Sequence, residues 1–580
     1  MLRVVVVILL LIATAVELDA AVDEPRLRQP VALALSSSCK WLFVANRTSG
    51  SVSVIDTATM AVANEIDTGG RLSDIAAWDD EHLVALDEAN HQLLLLAGGG
   101  AQWSVAAKLD VPHHPRRLEV DRSSGRCFVS SLWSRAVTTV DLAKIGVGPQ
   151  PRLQVIQQVG LPFEPLELCV GKDGEVLLVA GAFRGILAVI DIESAELIAS
   201  KTTRGHNIRG LAVSSDGEQL WIAQQELIPL AHSTRDDVHW GNMIANLLVA
   251  VSLDELCDSQ DDIKSVETYY LGEPGHAAGD PGAINTSQDG GVAILLAGVN
   301  EVALGRETDL RQFHRVPVGR GPSALVASDD GRLCVACRFS DTISVVNIAA
   351  AKQITSQPLG LPREITPAEH GEMLFYDSRL SHDGWMSCHS CHTDGHTNGQ
   401  LNDNLNDGSF GAPKRVLSLL GVADTGPWGW NGHVTSLEEQ VQNSISKTMQ
   451  GAASGEKEVA ALVAYLKSLR PSPTPPIAVE TEQQGQAKRG KELFHTLNCH
   501  RCHTPPTYTS PLAYDTGLHD EVGNKRFNPP SLLGAAHRDA FFHDGRATSL
   551  TDIIRKHQHQ LKRELTPLEA DALLKFLMSL

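Results

Sequence analysis

The chain has 580 residues, a formal net charge of −20 and 43% hydrophobic residues. That length exceeds what one hydrophobic core organises, so several domains are expected. The acidic excess argues against nucleic acid or an anionic membrane as the main partner.

Residues 1–20 read as an export signal. Met1-Leu2-Arg3 precedes an apolar run from Val4 to Val16, with small residues at Ala13-Thr14-Ala15 and Ala20-Ala21 as cleavage points. The run is shorter than the roughly 20 apolar residues a membrane span needs, and no later segment reaches that length. The expectation is a periplasmic or otherwise exported protein without a stable membrane span.

Residues 29–362 repeat one theme. Leu42-Phe43-Val44-Ala45-Asn46 turns through Ser49-Gly50 into Ser51-Val52-Ser53-Val54-Ile55-Asp56, and Leu177–Ala180 to Ile190-Asp191 and Leu333–Cys337 to Asn347 follow the same plan. Asp-Gly turns recur at Asp173, Asp216, Asp289 and Asp330. Short strands repeating about every forty residues predict a β-propeller of four-stranded blades. Seven blades are expected, starting near residues 29, 71, 116, 166, 208, 281 and 323. The repeats resemble the YVTN-type propellers of extracytoplasmic proteins. An insertion from Ile228 to Ala245 carries His232, His239, Trp240 and Met243. It reads either as a surface loop or as a contact with the next domain or a substrate.

Of the ten cysteines, Cys39, Cys127, Cys169, Cys257, Cys334 and Cys337 lie mostly in apolar strand-like runs and read as structural. Cys334 and Cys337 are three apart in a predicted strand, so they face opposite sides and suit neither a metal nor a redox pair.

Beyond residue 362 the pattern becomes helical, with Glu458 to Leu469 and Pro567 to Leu580 as amphipathic helices. A first domain over 363–470 and a second over 484–580 are separated by a stiff Pro-rich linker at 471–483. The two halves repeat each other. Ser418-Leu419-Leu420-Gly421 matches Ser531-Leu532-Leu533-Gly534, and Trp430–Leu437 aligns without a gap on His543–Leu550.

Each half holds one Cys-x-x-Cys-His motif, at Cys388, Cys391 and His392 and at Cys499, Cys502 and His503. This is the haem c attachment pattern: two thiols bond to the haem vinyl groups and the adjacent His ligates the iron. Two covalent haems are therefore expected, each in a mainly helical cytochrome c-type domain. The sixth ligand decides whether a haem only moves electrons or also binds an oxidant. After His503 the sole Met is Met578, and His519, His537, His543, His557 and His559 are the available histidines.

With Asp383–Ser387 before the first motif and the two aromatic/His-Asx-Gly…Ser-Leu segments, residues 365–580 resemble the bacterial dihaem cytochrome c peroxidase/MauG superfamily. The resemblance implies that Trp430 lies between the haems, that Gln440 faces the distal pocket of the first haem, and that His557 is the sixth ligand of the second. His559 or Met578 remain alternatives to His557. The family's acid/base Glu is missing: the matching stretch is Lys447-Thr448-Met449-Gln450, and Met449 could close the first iron instead. Glu438 and Glu439 could substitute, but read first as solvent-facing. The family's labile distal His has no clear match, although His396 follows His392 by four residues.

The leading expectation is a dihaem oxidoreductase that takes electrons from a small redox protein at the second haem. It would reduce hydrogen peroxide or a similar small oxidant at the first. The alternative is an electron-transfer cytochrome whose propeller docks a redox partner. A dehydrogenase site on the propeller ranks last. Calcium between the haem domains is a further implied cofactor, and the loop Asn402-Asp403-Asn404 through Asp407 could bind it, though it reads first as a solvated turn.

Overall fold

A computed structural model describes residues 25–145, 152–258, 263, 266–474 and 481–580. The export signal and residues 475–480 of the Pro-rich linker lie outside the described residues.

The N-terminal part is a β-propeller. Five antiparallel four-stranded sheets are formed by residues 30–67, 72–110, 115–160, 281–317 and 322–358. The expected count of seven separate blades is corrected here. The chain from Pro165 to Tyr270 builds one continuous seven-stranded sheet. The cause is the 17-residue strand Leu197–Val213. Its first half pairs with Arg184–Asp191 and its second half with Gln219–Leu227. Most other inner strands open on a proline (Pro30, Pro115, Pro165, Pro281, Pro322), which cannot donate to a ladder and so ends the preceding sheet. No proline interrupts residues 197–213.

The inner strands lie side by side in a ring, with β1 (Pro30–Leu35) beside both β2 (Leu72–Ala77) and the first strand of the last sheet, Pro322–Ala327. Second strands are buried on both faces because each sheet is wedged between two others. Leu42 and Val44 pack with Cys334 and Ala336 of the last sheet, whereas Phe43 and Ala45 pack with Leu72 and Leu83 of the second. Cys334 and Cys337 fall into different apolar clusters, as opposite-facing strand residues must. The ring is closed by Asp341, whose carboxylate accepts the backbone N–H of Arg28 (2.8 Å) and of Gln29 (2.7 Å).

The helical part contains α1 (Pro367–Phe375), α2 (Leu437–Asn443), α3 (Glu456–Ser468), α4 (Thr481–Thr496) and α5 (Pro567–Met578). Helix α1 packs on α3, and α4 on α5. Each crossing uses one glycine. A Cβ at Gly371 would stand 2.0 Å from the Ala461 carbonyl oxygen, and one at Gly490 would stand 2.0 Å from that of Ala572. Both halves also share a π-helical turn, at Ser444–Thr448 and Asp552–Lys556. Both carry a left-handed glycine, Gly421 and Gly534. The repeat read from sequence is thus repeated in local geometry. The Pro-rich stretch begins as packed chain: Pro471 lies against Gly421 and Ser472 against Gly534, while α4 already starts at Thr481.

The insertion at 228–245 is a contact rather than a free surface loop. His239 Nδ1 lies 2.6 Å from Asp383 Oδ2, Trp385 Nε1 donates to the His239 carbonyl (3.1 Å), and Gln450 donates to the Ser233 carbonyl (2.6 Å). The propeller therefore grips the segment leading into the first Cys-x-x-Cys-His.

Candidate functional site

The first motif forms one helical turn, Cys388–Cys391, capped by Ser387, whose backbone N–H bonds to Ser390 Oγ (2.9 Å). Propeller residues seat this turn. The buried carboxylate of Asp280 accepts the hydroxyls of Ser387 (2.5 Å), Ser390 (2.6 Å) and Ser378 (3.1 Å). His206 Nε2 lies 2.8 Å from the Ser390 carbonyl oxygen, and Asn246 donates to the Trp385 carbonyl (3.0 Å). Hydrogen bonds to a charged acceptor contribute about 1.5–3 kcal/mol each, so Asp280 is a strong anchor. Neither Asp280 nor His206 carries a motif that sequence reasoning could have flagged.

Cys388, Cys391 and His392 open into a cavity walled by Phe375, Met386, Val441, Ile445 and Leu462. The Nδ1–H of His392 is held by the Leu417 carbonyl (2.8 Å). That bond fixes the tautomer in which Nε2 carries the free lone pair. Burial pushes His392 down to about 4, so the imidazole is neutral, the form a metal takes. Burial, with the Asp280 charge, pushes both thiols up to about 12.

Three predicted residues line the same cavity: Trp430, Gln440 and Met449. Met449 is buried, at 4% exposure. Gln440 Oε1 is buried with no hydrogen-bond partner. Trp430 donates its indole N–H to the Arg415 carbonyl (2.8 Å) and lies edge-on to His543 at 6.4 Å. Arg415, which sequence reasoning missed, is buried and lines the cavity without a carboxylate partner among the described residues. Its guanidinium lies 5.3 Å from the Trp430 ring, and its Nε donates to the Phe542 carbonyl (3.2 Å). Burial, with Arg538 nearby, lowers it to about 9. An oriented neutral His, two adjacent thiols, an apolar wall and a buried unpaired Arg fit a covalent haem with anionic propionates.

At the second motif His503 Nδ1 faces the Tyr508 carbonyl at 3.2 Å, and burial brings this His to about 4 as well. Burial also raises Cys499, to about 11, and Cys502. The same donor set therefore fits a second haem. His557 Nε2 is buried without a partner, and both His557 and His559 lie edge-on to Phe542, at 5.3 and 5.2 Å. Met578 is 45% exposed.

Other expectations change. His396 spends both ring nitrogens on protein, with Nδ1 2.9 Å from Ser418 Oγ and Nε2 2.9 Å from the His537 carbonyl oxygen. Glu438 and Glu439 are exposed, in line with their first reading as solvent-facing. The loop at 402–407 is not a solvated turn: Asn402 and Asp403 are buried, and Asp403 accepts the Gly411 N–H (2.7 Å). Its cationic partner is already present, because the Lys414 ammonium pairs with Asp407 and, at 3.0 Å, with Asp520 of the other half.

The sequence profile described as di-haem cytochrome c peroxidase matches residues 366–472 and 491–574. The chain is 25% identical over 303 residues to the cytochrome c551 peroxidase of Nitrosomonas europaea, covering 42% of this chain and 89% of that protein. It is 28% identical over 267 residues to the methylamine utilization protein MauG of Methylorubrum extorquens, covering 39% and 74%. Among solved structures, a chain of Kuenenia stuttgartiensis hydrazine synthase is similar at a TM-score of 0.49 and 16% identity, covering 58% of this chain and 99% of that one. The sequence matches support a dihaem oxidoreductase-type enzyme with covalent haem c iron in the helical region. No helix among the described residues is long and apolar enough to cross a membrane.

Proposed function

We propose that the chain is an exported dihaem oxidoreductase with cytochrome domains at 363–470 and 484–580. It takes electrons from a small redox protein at the second haem and reduces hydrogen peroxide or a similar oxidant at the first. Bound haem iron supplies the one-electron chemistry and an axial position whose occupancy decides between transfer and oxidant binding. The observation that carries the direction is the contrast in exposure. Arg501, Thr504, Pro505 and Pro506 around the second motif are exposed, whereas His389, Ser390 and Thr393 at the first are buried under the propeller. A partner protein therefore has access to the second site.

Trp430 supports a link between the sites, since it walls the first cavity and faces His543. Gln440 offers an unpartnered carbonyl oxygen to a small polar ligand in the cavity. It can orient such a ligand but cannot take and return a proton as a carboxylate does. Asp407, the carboxylate on this cavity wall, is engaged by Lys414. Lys414 bridging Asp407 and Asp520 also makes calcium unnecessary between the halves in this reading.

Met449, buried in the cavity wall, favours a second reading in which it ligates the first iron and the protein only transfers electrons. EPR and absorption spectra of the haem-loaded protein, oxidised and half-reduced, separate the two. A high-spin signal in either state is expected for oxidant reduction. Two low-spin haems in both states, with no peroxide consumption, would leave electron transfer alone.

A further inference from the structure

A second cavity, of about 970 Å³, lies inside the ring of inner strands and shares no lining residue with the first. Its floor is the outer side of the first attachment loop, where His389 and Asp394 meet Tyr376. Arg47, Arg71, Arg116 and Arg209 reach into it from different sheets of the propeller.

Two carboxylates pair with three of these four guanidinium groups. Glu88 pairs with Arg47 (2.7 Å) and Arg116 (3.1 Å), and Asp394 pairs with Arg209 (3.0 Å) and more distantly with Arg116 (3.9 Å). The other wall charges cancel. Arg338 pairs with Glu372, Arg117 with Glu167 and Glu369 with Arg363, while Asp280 and Arg470 add one wall charge of each sign without pairing. His389 adds no charge, because its Nδ1 accepts the Asp394 N–H at 3.0 Å. Arg71 has no ion pair among the described residues. Arg116 Nε and Arg209 Nη1 are buried donors without an acceptor.

Arginine keeps its proton at any physiological pH, so the surplus of positive charge cannot be titrated away. Buried donors and unpaired charge are costly until an acceptor completes them. Guanidinium forks match the paired oxygens of carboxylates and tetrahedral oxyanions. We propose that this chamber binds a small dianion, a tetrahedral oxyanion or a dicarboxylate, between Arg71, Arg116 and Arg209. His389 sits between Cys388 and Cys391, so the bound dianion lies behind the first haem and stabilises its oxidised form. That consequence rests on reading residues 388–392 as a haem site; the binding itself does not.

Isothermal titration of the haem-loaded full chain with sulfate, succinate and chloride tests the site. One-site binding of a dianion is expected, with chloride far weaker, and the sulfate-to-succinate preference separates tetrahedral from dicarboxylate ligands. Arg71→Gln and Arg209→Gln should each weaken binding at least about tenfold, roughly the loss of one charge-assisted contact. Arg71 supports no other side chain by an ion pair, so unchanged circular dichroism is expected for Arg71→Gln. Absence of saturable binding by either dianion up to about 10 mM would overturn the proposal, since that ceiling is weaker than any specific contact set of this size. Wild-type affinity in both variants would do the same. The first haem's midpoint potential should fall on adding the dianion to wild type but not to Arg71→Gln. A constant potential with binding intact would overturn the coupling to the haem and leave the anion site standing.

Discussion

His557 and His559 flank the same Phe542 ring, but they differ in what is left over: the Nε2 of His557 is buried and unpartnered. That orphaned buried nitrogen supports the proposal that His557 is the sixth ligand of the second haem. His557→Ala should convert that haem from low to high spin, read as a new high-spin EPR signal; an unaltered spectrum assigns the ligand elsewhere. Met449→Ala separates the two readings of the first haem in the same way, since removal changes its spin state only if Met449 ligates. A third residue bears on pH. Burial works to raise Glu88, but Arg47, Arg116 and Arg71 overcome it and hold the carboxyl at about 2, against 4.5 for a free one. A depressed carboxyl contributes stability that is complete above its unfolded value and lost as pH falls through its folded value. Propeller stability should therefore decline between about pH 4.5 and pH 2, and Glu88→Gln should flatten that part of the profile in calorimetry.

The element scale shows what a duplicated sequence fixes. Gly371 and Gly490 take the same place in the two helix crossings, each facing a carbonyl oxygen 2.0 Å from where a Cβ would stand. Gly490→Ala should cost about 1–3 kcal/mol through forced separation of α4 and α5, measurable as a lowered melting temperature of the haem-loaded protein. Such local regularities were legible. The Cys-x-x-Cys-His motifs are contiguous, and the aligned Trp430 and His543 segments carry the repeat into space. Strand periodicity gave the propeller, yet it could not show that Leu197–Val213 runs unbroken through two registers, because that depends on which strand each half pairs with. The loop at 402–407 looked polar and was expected in solvent. Its burial comes from Lys414 and Gly411, partners that no local pattern announces.

At the scale of the whole molecule, the propeller is the seat of the first attachment loop. Asp280 lies 107 residues from Ser387, so the contact is invisible to any local reading of the chain. Asp280→Ala would leave three hydroxyls facing an apolar methyl and should cost at least about 3 kcal/mol. Hydrogen exchange of residues 378–392 should accelerate in that variant while exchange around Cys499–His503 does not. Uniform acceleration across both halves would show that the loop is not held independently. The insertion at 228–245 and the Asp280 seat together close over Trp385, Ser387 and Ser390.

That closure carries a consequence for biogenesis. In the docked arrangement both thiols of the first motif are half-buried, burial with the Asp280 charge keeps them protonated, and the loop bearing them is pinned from behind. A protonated thiol is a poor nucleophile, and a pinned loop cannot move to meet an incoming macrocycle. Covalent loading of the first half is then expected to precede its docking onto the propeller, a contact the second motif does not make through its own loop. Maturation would run in a fixed sequence, with the propeller acting as the latch that shuts last.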